Sequence, residues 1–280
     1  MNRIRIIIFA AATCAFTFPP PQTAQAQLFF WPKPQQPSKT PEKQQSEEEV
    51  VAPTNLSTVS KSVVRSRFTA PSEEIADECD KILDRLEERY GKPKVWRSFP
   101  VYFRAYTGNG VAGYTMYNGE RVTEVVVYES FQNSIGATLD HELTHAFFFY
   151  FLNSSFDLFL NEGLAQNSEY KRRASLRQTV YRRYSNGEFW ALDRLYGRNA
   201  YDSSLLIYHE GFSVVDFLIA RGGSEWLAEF MHDLVARGNV DESLSLFYDY
   251  PSLKHLQKDW LNYIEGGQDR LTVGAIGSKR

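Results

Sequence analysis

His141-Glu142-Leu143-Thr144-His145 places two imidazoles four residues apart with a carboxylate between them. Four residues on an α-helix turn 400°, so both rings share one face about 6 Å apart, close enough to grip one metal ion. Glu142 projects about 100° around the axis from His141, too far for a natural third ligand but close to a water on that metal, which suits it to act as a base. Neutral imidazoles favour zinc, three protein ligands leave a fourth position open, and zinc lowers the pKa of a bound water to about 7. The implied chemistry is hydrolysis. Two His and one Glu at these places arise by chance in roughly one per cent of chains this long, so a third ligand is needed to make the case.

Asn161-Glu162-Gly163-Leu164-Ala165 supplies one. The apolar run Phe147 to Leu152 can finish the first helix, Asn153 to Ser155 can turn the chain, and a second helix starting near Glu162 can present that carboxylate to the same ion. The expected metal set is therefore His141, His145 and Glu162 around one Zn2+ per chain, with Glu142 as general base.

With these motifs the chain resembles the gluzincin metallopeptidases, which combine HExxH with a downstream Glu ligand, and within them the peptidase-MA-like group. The resemblance runs from roughly Val101 to Gly222 and includes Tyr208-His209-Glu210-Gly211-Phe212. In aminopeptidase relatives a Tyr in a similar Y-x-x-G-F stretch donates a hydrogen bond to the oxyanion, so the resemblance implies that role for Tyr208. It also implies a zincin-like fold and a peptide or protein substrate. Gluzincins often carry an acidic residue four positions after the ligand Glu, where it can hold a zinc-binding His; here Gln166 stands there. The aminopeptidase G-x-M-E-N segment has its nearest counterpart in Gly113-Tyr114-Thr115-Met116-Tyr117-Asn118, which lacks the Glu, so internal or non-amino-terminal cleavage is expected. Zincins keep a substrate-pairing edge strand before the zinc helix; Val122 to Tyr128 is either that strand or a core strand. Two other functions use the same residues: an inactive, zinc-stabilised envelope binding module, and a zinc hydrolase of non-peptide amides or esters.

The elements that must position this site read as α+β: a small, mostly antiparallel sheet packed on the HExxH helix, then a helical C-terminal lobe. Ser72 can cap a helix in which Ile75, Cys79, Ile82, Leu83, Leu86 and Tyr90 form an apolar stripe ended by Gly91. Cys79 lies on that stripe and reads as a buried thiol. Order is expected from near Phe68. Val101 to Tyr106, Gly113 to Tyr117 and Val122 to Tyr128 read as strands, the last two joined at Asn118-Gly119. Helical patterns follow from Ile135 and around residues 161–183, 204–221, 224–237 and 252–264. His209, His232 and His255 read as ordinary helix residues, and Glu210, Arg172, Arg173, Arg182 and Arg183 as solvated faces. Asp140 reads equally as support for His141 or as helix polarity.

Hydrophobic residues at 43% and charged residues at 23% are globular values. A net charge of −3 provides no positive field for phosphate backbones, which argues against nucleic-acid binding. Arg3 and Arg5, the apolar run Ile6 to Phe18 and Ala24-Gln25-Ala26 read as a signal peptide over residues 1–26, with Pro19 to Pro21 ending the run short of the ~20 residues of a spanning helix. Cys14 would leave with it, making Cys79 the only cysteine and an internal disulfide impossible. Residues 27–60 read as a disordered Pro/Gln-rich linker, residues 61–270 as the metallopeptidase domain and 271–280 as a tail. The expected location is exported from a bacterial cell, whether periplasmic, envelope-associated through the linker, or secreted.

Overall fold

The computed structural model describes residues 63–66, 72–104, 111–128, 134–197 and 205–266. The expected leader, linker and tail lie outside these residues. The architecture is α+β, with a mixed sheet packed on the helix that carries His141 and His145 and a helical region after it. Strands β1 (Val63–Ser66), β2 (Pro100–Arg104), β3 (Gly113–Tyr117) and β4 (Val122–Tyr128) lie in the order β1-β2-β4-β3.

Two of the three pairings are parallel, β1 with β2 and β2 with β4, and only β3 with β4 is antiparallel. A mostly antiparallel sheet was expected because β1 was not foreseen and the hairpin was the only visible pairing signal. Helix α1 (Ser72–Tyr90) provides the crossover from β1 to β2; a parallel pair needs such a connection. The hairpin forms where Asn118-Gly119 predicts it: Gly119 takes φ +90°, and Asn118 Oδ1 accepts the backbone N–H groups of Glu120 and Arg121 at 3.1 Å. Because the hairpin folds β4 back between β2 and β3, β4 has a strand on both sides and β3 is left at the edge.

The stripe foreseen on α1 is buried, including Cys79, and Gly91 ends the helix at φ +96°. Helix α2 (Leu139–Leu152) follows a π-helical turn at Ser134–Thr138, and every one of its residues is buried. A helix buried all round needs cover on every side; α2 contacts β3, β4, α1, α3 (Leu158–Ser168) and α6 (Leu205–Arg237). Its Phe147, Phe148 and Phe151 pack on one another and on Tyr90 of α1. Asn153 closes it in the left-handed region at φ 52°.

The helical pattern over 161–183 is two helices, not one. Helix α3 starts at Leu158, capped by Asp157, whose side chain accepts Phe159 N–H. It stops at Glu169, and α4 (Arg173–Ser185) begins after a 3-10 turn. After the short α5 (Leu192–Leu195) comes α6, whose two limbs meet at Gly223 (φ 83°), the break foreseen between 221 and 224. Helices α7 (Val240–Tyr248) and α8 (Leu253–Gly266) complete the lobe. Among the described residues no helix is long and apolar enough to cross a membrane.

Helices α3 and α6 cross with their backbones in contact at two glycines. A Cβ on Gly211 would lie 2.5 Å from Phe159 O, and one on Gly163 would run into the Gly211 carbonyl. Both positions therefore require glycine for close approach, which brings Glu162 on α3 alongside the α6 turn holding Tyr208. Gly163→Ala should force the helices apart and destabilise the domain by about 1–3 kcal/mol, lowering Tm by several degrees in thermal unfolding; an unchanged Tm would contradict the close-contact account.

Candidate metal centre

The helical turn of α2 puts the His141 and His145 rings 4.8 Å apart between centroids and at 82° to each other. Glu162 approaches from α3, with Oε2 3.2 Å from His141 Nε2 and 3.7 Å from His145 Nε2. These three donors form a buried group that could hold a metal ion, all within 4.8 Å of one another. Tetrahedral zinc with bonds of ~2.0–2.1 Å separates its ligands by about 3.3–3.4 Å, so both carboxylate distances fit a shared ion. Glu162 Oε1 is buried with no hydrogen-bond partner among the described residues, as expected of a donor set arranged for something other than protein hydrogens.

A second layer orients both rings. His141 Nδ1–H donates to Glu169 Oε1 at 2.8 Å, and Arg172 donates to the other Glu169 oxygen at 2.8 Å. His145 Nδ1–H donates to Asn161 Oδ1 at 3.0 Å. Each bond leaves Nε2 to face the shared point, the arrangement by which outer partners set ligand tautomers. The carboxylate missing at Gln166 is thus provided by Glu169. Seven residues after Glu162 is nearly two full helical turns, which returns to the same side of α3, and the helix end at Glu169 lets its side chain turn back to His141. Gln166 is buried, and no described residue bonds its Oε1. Sequence periodicity held the signal for Glu169, but the expected unbroken helix concealed it. Asn161 precedes Glu162 directly, and nothing in the sequence marks it as a partner of His145.

Glu142 is fully buried, and the edge strand meets it. Strand β3 buries Gly113, Thr115 and Tyr117 on one face. Thr115 Oγ1 lies 2.9 Å from Glu142 Oε2 and 2.8 Å from the Glu142 carbonyl, while a Cβ on Gly113 would lie 2.9 Å from Glu142 Cγ. Glu142 Oε1 has no hydrogen-bond partner among the described residues. Burial lifts the Glu142 carboxyl to about 8, against the opposing effects of the His141 charge and the Thr115 hydrogen bond. Two phenols lie within the electrostatic reach of the same carboxylates: Tyr208 from α6 and Tyr117 from β3. Burial, followed by the negative charge of Glu162 and then Glu142, raises Tyr208. Tyr117 is raised by burial and by the same two carboxylates, against a hydrogen bond from Asn161. Thr115 and Tyr117 lacked any local sequence signal, since strand alternation shows a face but not what it covers.

The remaining candidates separate from the centre. Asp140 pairs with Arg85 of α1 at 2.8 Å and so fastens α1 to α2 without supporting His141. Glu210 is buried rather than solvated, and its Oε1 accepts Trp190 N–H at 3.0 Å. Arg172 and Arg173 are not idle surface groups, as Arg173 donates to the Asn167 carbonyl at 2.8 Å. His209 is half-buried, His232 packs on Phe151, and His255 meets Ser252; none of them joins the metal group.

Comparison of the chain with protein-family models, with curated proteins and with solved structures gives no match.

The charge pattern sets a pH dependence for metal uptake. Burial alone would depress His141, but its hydrogen bonds to Glu162 and Glu169 and their negative charge outweigh that and lift it to about 10, whereas burial lowers His145 to about 4. Below its raised pKa the His141 ring holds a proton that a metal must displace. Zinc uptake near pH 7 should release about one proton, with apparent affinity rising about tenfold per pH unit toward pH ~9. Calorimetry in buffers of different ionisation enthalpy measures this, and uptake without proton release would contradict it. Glu169→Gln should weaken zinc binding about 10- to 100-fold in a chelator competition; full retention of affinity would remove Glu169 from the centre.

Proposed function

We propose that this chain is an exported zinc metallopeptidase of gluzincin type. The observation that carries the reading is the convergence of His141, His145 and Glu162 on one point with Glu142 held beside it by Thr115. A zinc ion at that point would polarise a carbonyl and lower the pKa of water. Glu142 takes the proton from the attacking water through Oε1, its oxygen away from Thr115, and passes it to the departing amine. Burial suits the carboxyl to that exchange by bringing its pKa toward neutrality. Tyr208 donates a hydrogen bond to the carbonyl oxygen as it becomes negative.

An extended peptide has a place to bind. Strand β3 ends the sheet among the described residues, so its outer backbone edge can pair with substrate while its inner face contacts Glu142. Val122 to Tyr128 is excluded from that role because β4 already pairs on both sides. The absence of a Glu in Gly113 to Asn118 supports cleavage away from the amino terminus. The leader-like residues 1–26 and Pro-rich residues 27–60 support export and an envelope association through the linker.

One observation favours a second reading, a zinc-stabilised module without turnover: His141, Glu142, His145 and Glu162 are all at most 2% exposed. Zinc-loaded protein digesting a peptide library separates the two. The wild type should cleave, Glu142→Gln should retain zinc and lose at least about 100-fold in kcat, and Tyr208→Phe should lose about 100- to 1,000-fold. A zinc-loaded wild type that cleaves no peptide would overturn the peptidase reading, and activity confined to simple amides or esters would reassign the substrate.

A further inference from the structure

We infer that Thr115 is a positioning residue that couples the pairing of a substrate on strand β3 to the orientation of Glu142. The inference rests on the peptidase reading above and deepens it, because it says which substrates the base serves best: extended backbones long enough to pair with the edge strand.

Register fixes which way each residue of β3 faces. Opposite residues of an antiparallel pair alternate between those that exchange hydrogen bonds and those whose N–H and C=O point away from each other. The register Gly113↔Val127, Tyr114↔Val126 and Thr115↔Val125 extends back to Ala112 opposite Tyr128, where Tyr128 N–H donates to Ala112 O at 2.8 Å. Ala112 and Tyr114 therefore bond toward β4, while Gly113 and Thr115 turn their N–H and C=O to the free edge. Side chains alternate with the same period of two, and those of the outward-bonding residues lie on the buried face of β3.

The same two residues meet the base. A Cβ on Gly113 would lie 2.9 Å from Glu142 Cγ, so the strand backbone runs against that side chain. Thr115 is fully buried, with Oγ1 2.8 Å from the Glu142 carbonyl and 2.9 Å from Glu142 Oε2. A hydroxyl has one hydrogen to share between those two acceptors, so its hold on the carboxylate depends on where the strand places it. Threonine is stiff at χ1, and a shift of the β3 backbone therefore passes to Oγ1 with little loss. One short side chain thus separates the backbone groups a substrate would bond from the carboxylate that would activate water. Among the described residues β3 is bonded on one side only. An extended substrate bonded to Thr115 on the other side would fix the strand, and with it the hydroxyl and Glu142. Binding energy from the substrate backbone would then act on the reacting centre and raise kcat, where a contact that only anchored the substrate would lower KM.

The test uses the zinc-loaded full chain and a peptide that the wild type cleaves. Forms of that peptide carry one backbone N-methyl group at a time on either side of the cut, the scissile nitrogen excepted, which removes a pairing hydrogen bond and keeps every side chain. In the wild type the most damaging methyl group should lower kcat at least about tenfold. Thr115→Val keeps the shape of the side chain without the hydroxyl. It should lower kcat on the unmodified peptide about 10- to 100-fold with KM within about twofold, and the same methyl group should then change kcat by no more than about threefold. Thr115→Ser should recover most of the lost rate and the methylation effect with it. An unchanged kcat in Thr115→Val, an equal methylation effect with and without the hydroxyl, or methyl groups that raise KM alone would overturn the inference and leave Thr115 as packing. The last of these is read in the wild type and decides even if Thr115→Val does not fold. A wild type that cleaves no peptide overturns the peptidase reading instead, and the inference falls with it.

Discussion

A carboxylate with no solvent exposure, Glu162, lies between two buried imidazoles, and the rest of the structure is arranged around the electrostatic demand this makes. An isolated buried carboxylate is strongly disfavoured, so such groups occur paired or on a metal. Here the compensation comes partly from His141, whose hydrogen bonds to Glu162 and Glu169 raise its pKa against the effect of burial and favour its charged form. A divalent cation at the same point would satisfy the donors better than one proton can, because it also engages His145, whose burial disfavours its charged form. Metal and proton thus compete for one position.

The protein supports that position with two layers of different origin. The ligands come from α2 and α3, whose relation is set by the left-handed turn at Asn153 and by the cap at Asp157. Their orienting partners come from farther along or from across the sheet: Glu169 from the end of α3, Asn161 from beside the ligand carboxylate, and Thr115 of the edge strand beside Glu142. Strand β3 therefore meets Glu142 on its inner face and ends the sheet among the described residues. The contact of α3 with α6 at Gly163 and Gly211 brings the second phenol, Tyr208, to the same carboxylates.

Burial has opposite consequences for the two functional readings. It strengthens every hydrogen bond and charge at the centre, which favours tight metal binding and a base with a pKa near neutrality. It also limits entry, which suits a structural ion. What bears on the two readings physically is Glu142, a fully buried carboxylate that holds one oxygen on Thr115 and leaves the other without a partner among the described residues.

The sequence by itself determined the local features. Helical turn geometry put His141 and His145 on one face, Asn118-Gly119 set the hairpin, Gly91 and Asn153 ended helices, and the spacing to Glu162 allowed a third donor. These follow from backbone geometry within a few residues, which is encoded where it acts. Only the tertiary structure decided which strand is the edge, because the hairpin pairs β3 with β4 locally, whereas the partner on the far side of β4 is β2, separated from it in sequence. It alone revealed β1, and it alone replaced Gln166 with Glu169, since α3 ends at Glu169 with no Gly or Pro there to mark the stop in the sequence. Thr115 became part of the centre through a contact with Glu142, 27 residues away, and nothing in its immediate neighbours records which buried carboxylate an inward-facing side chain will meet.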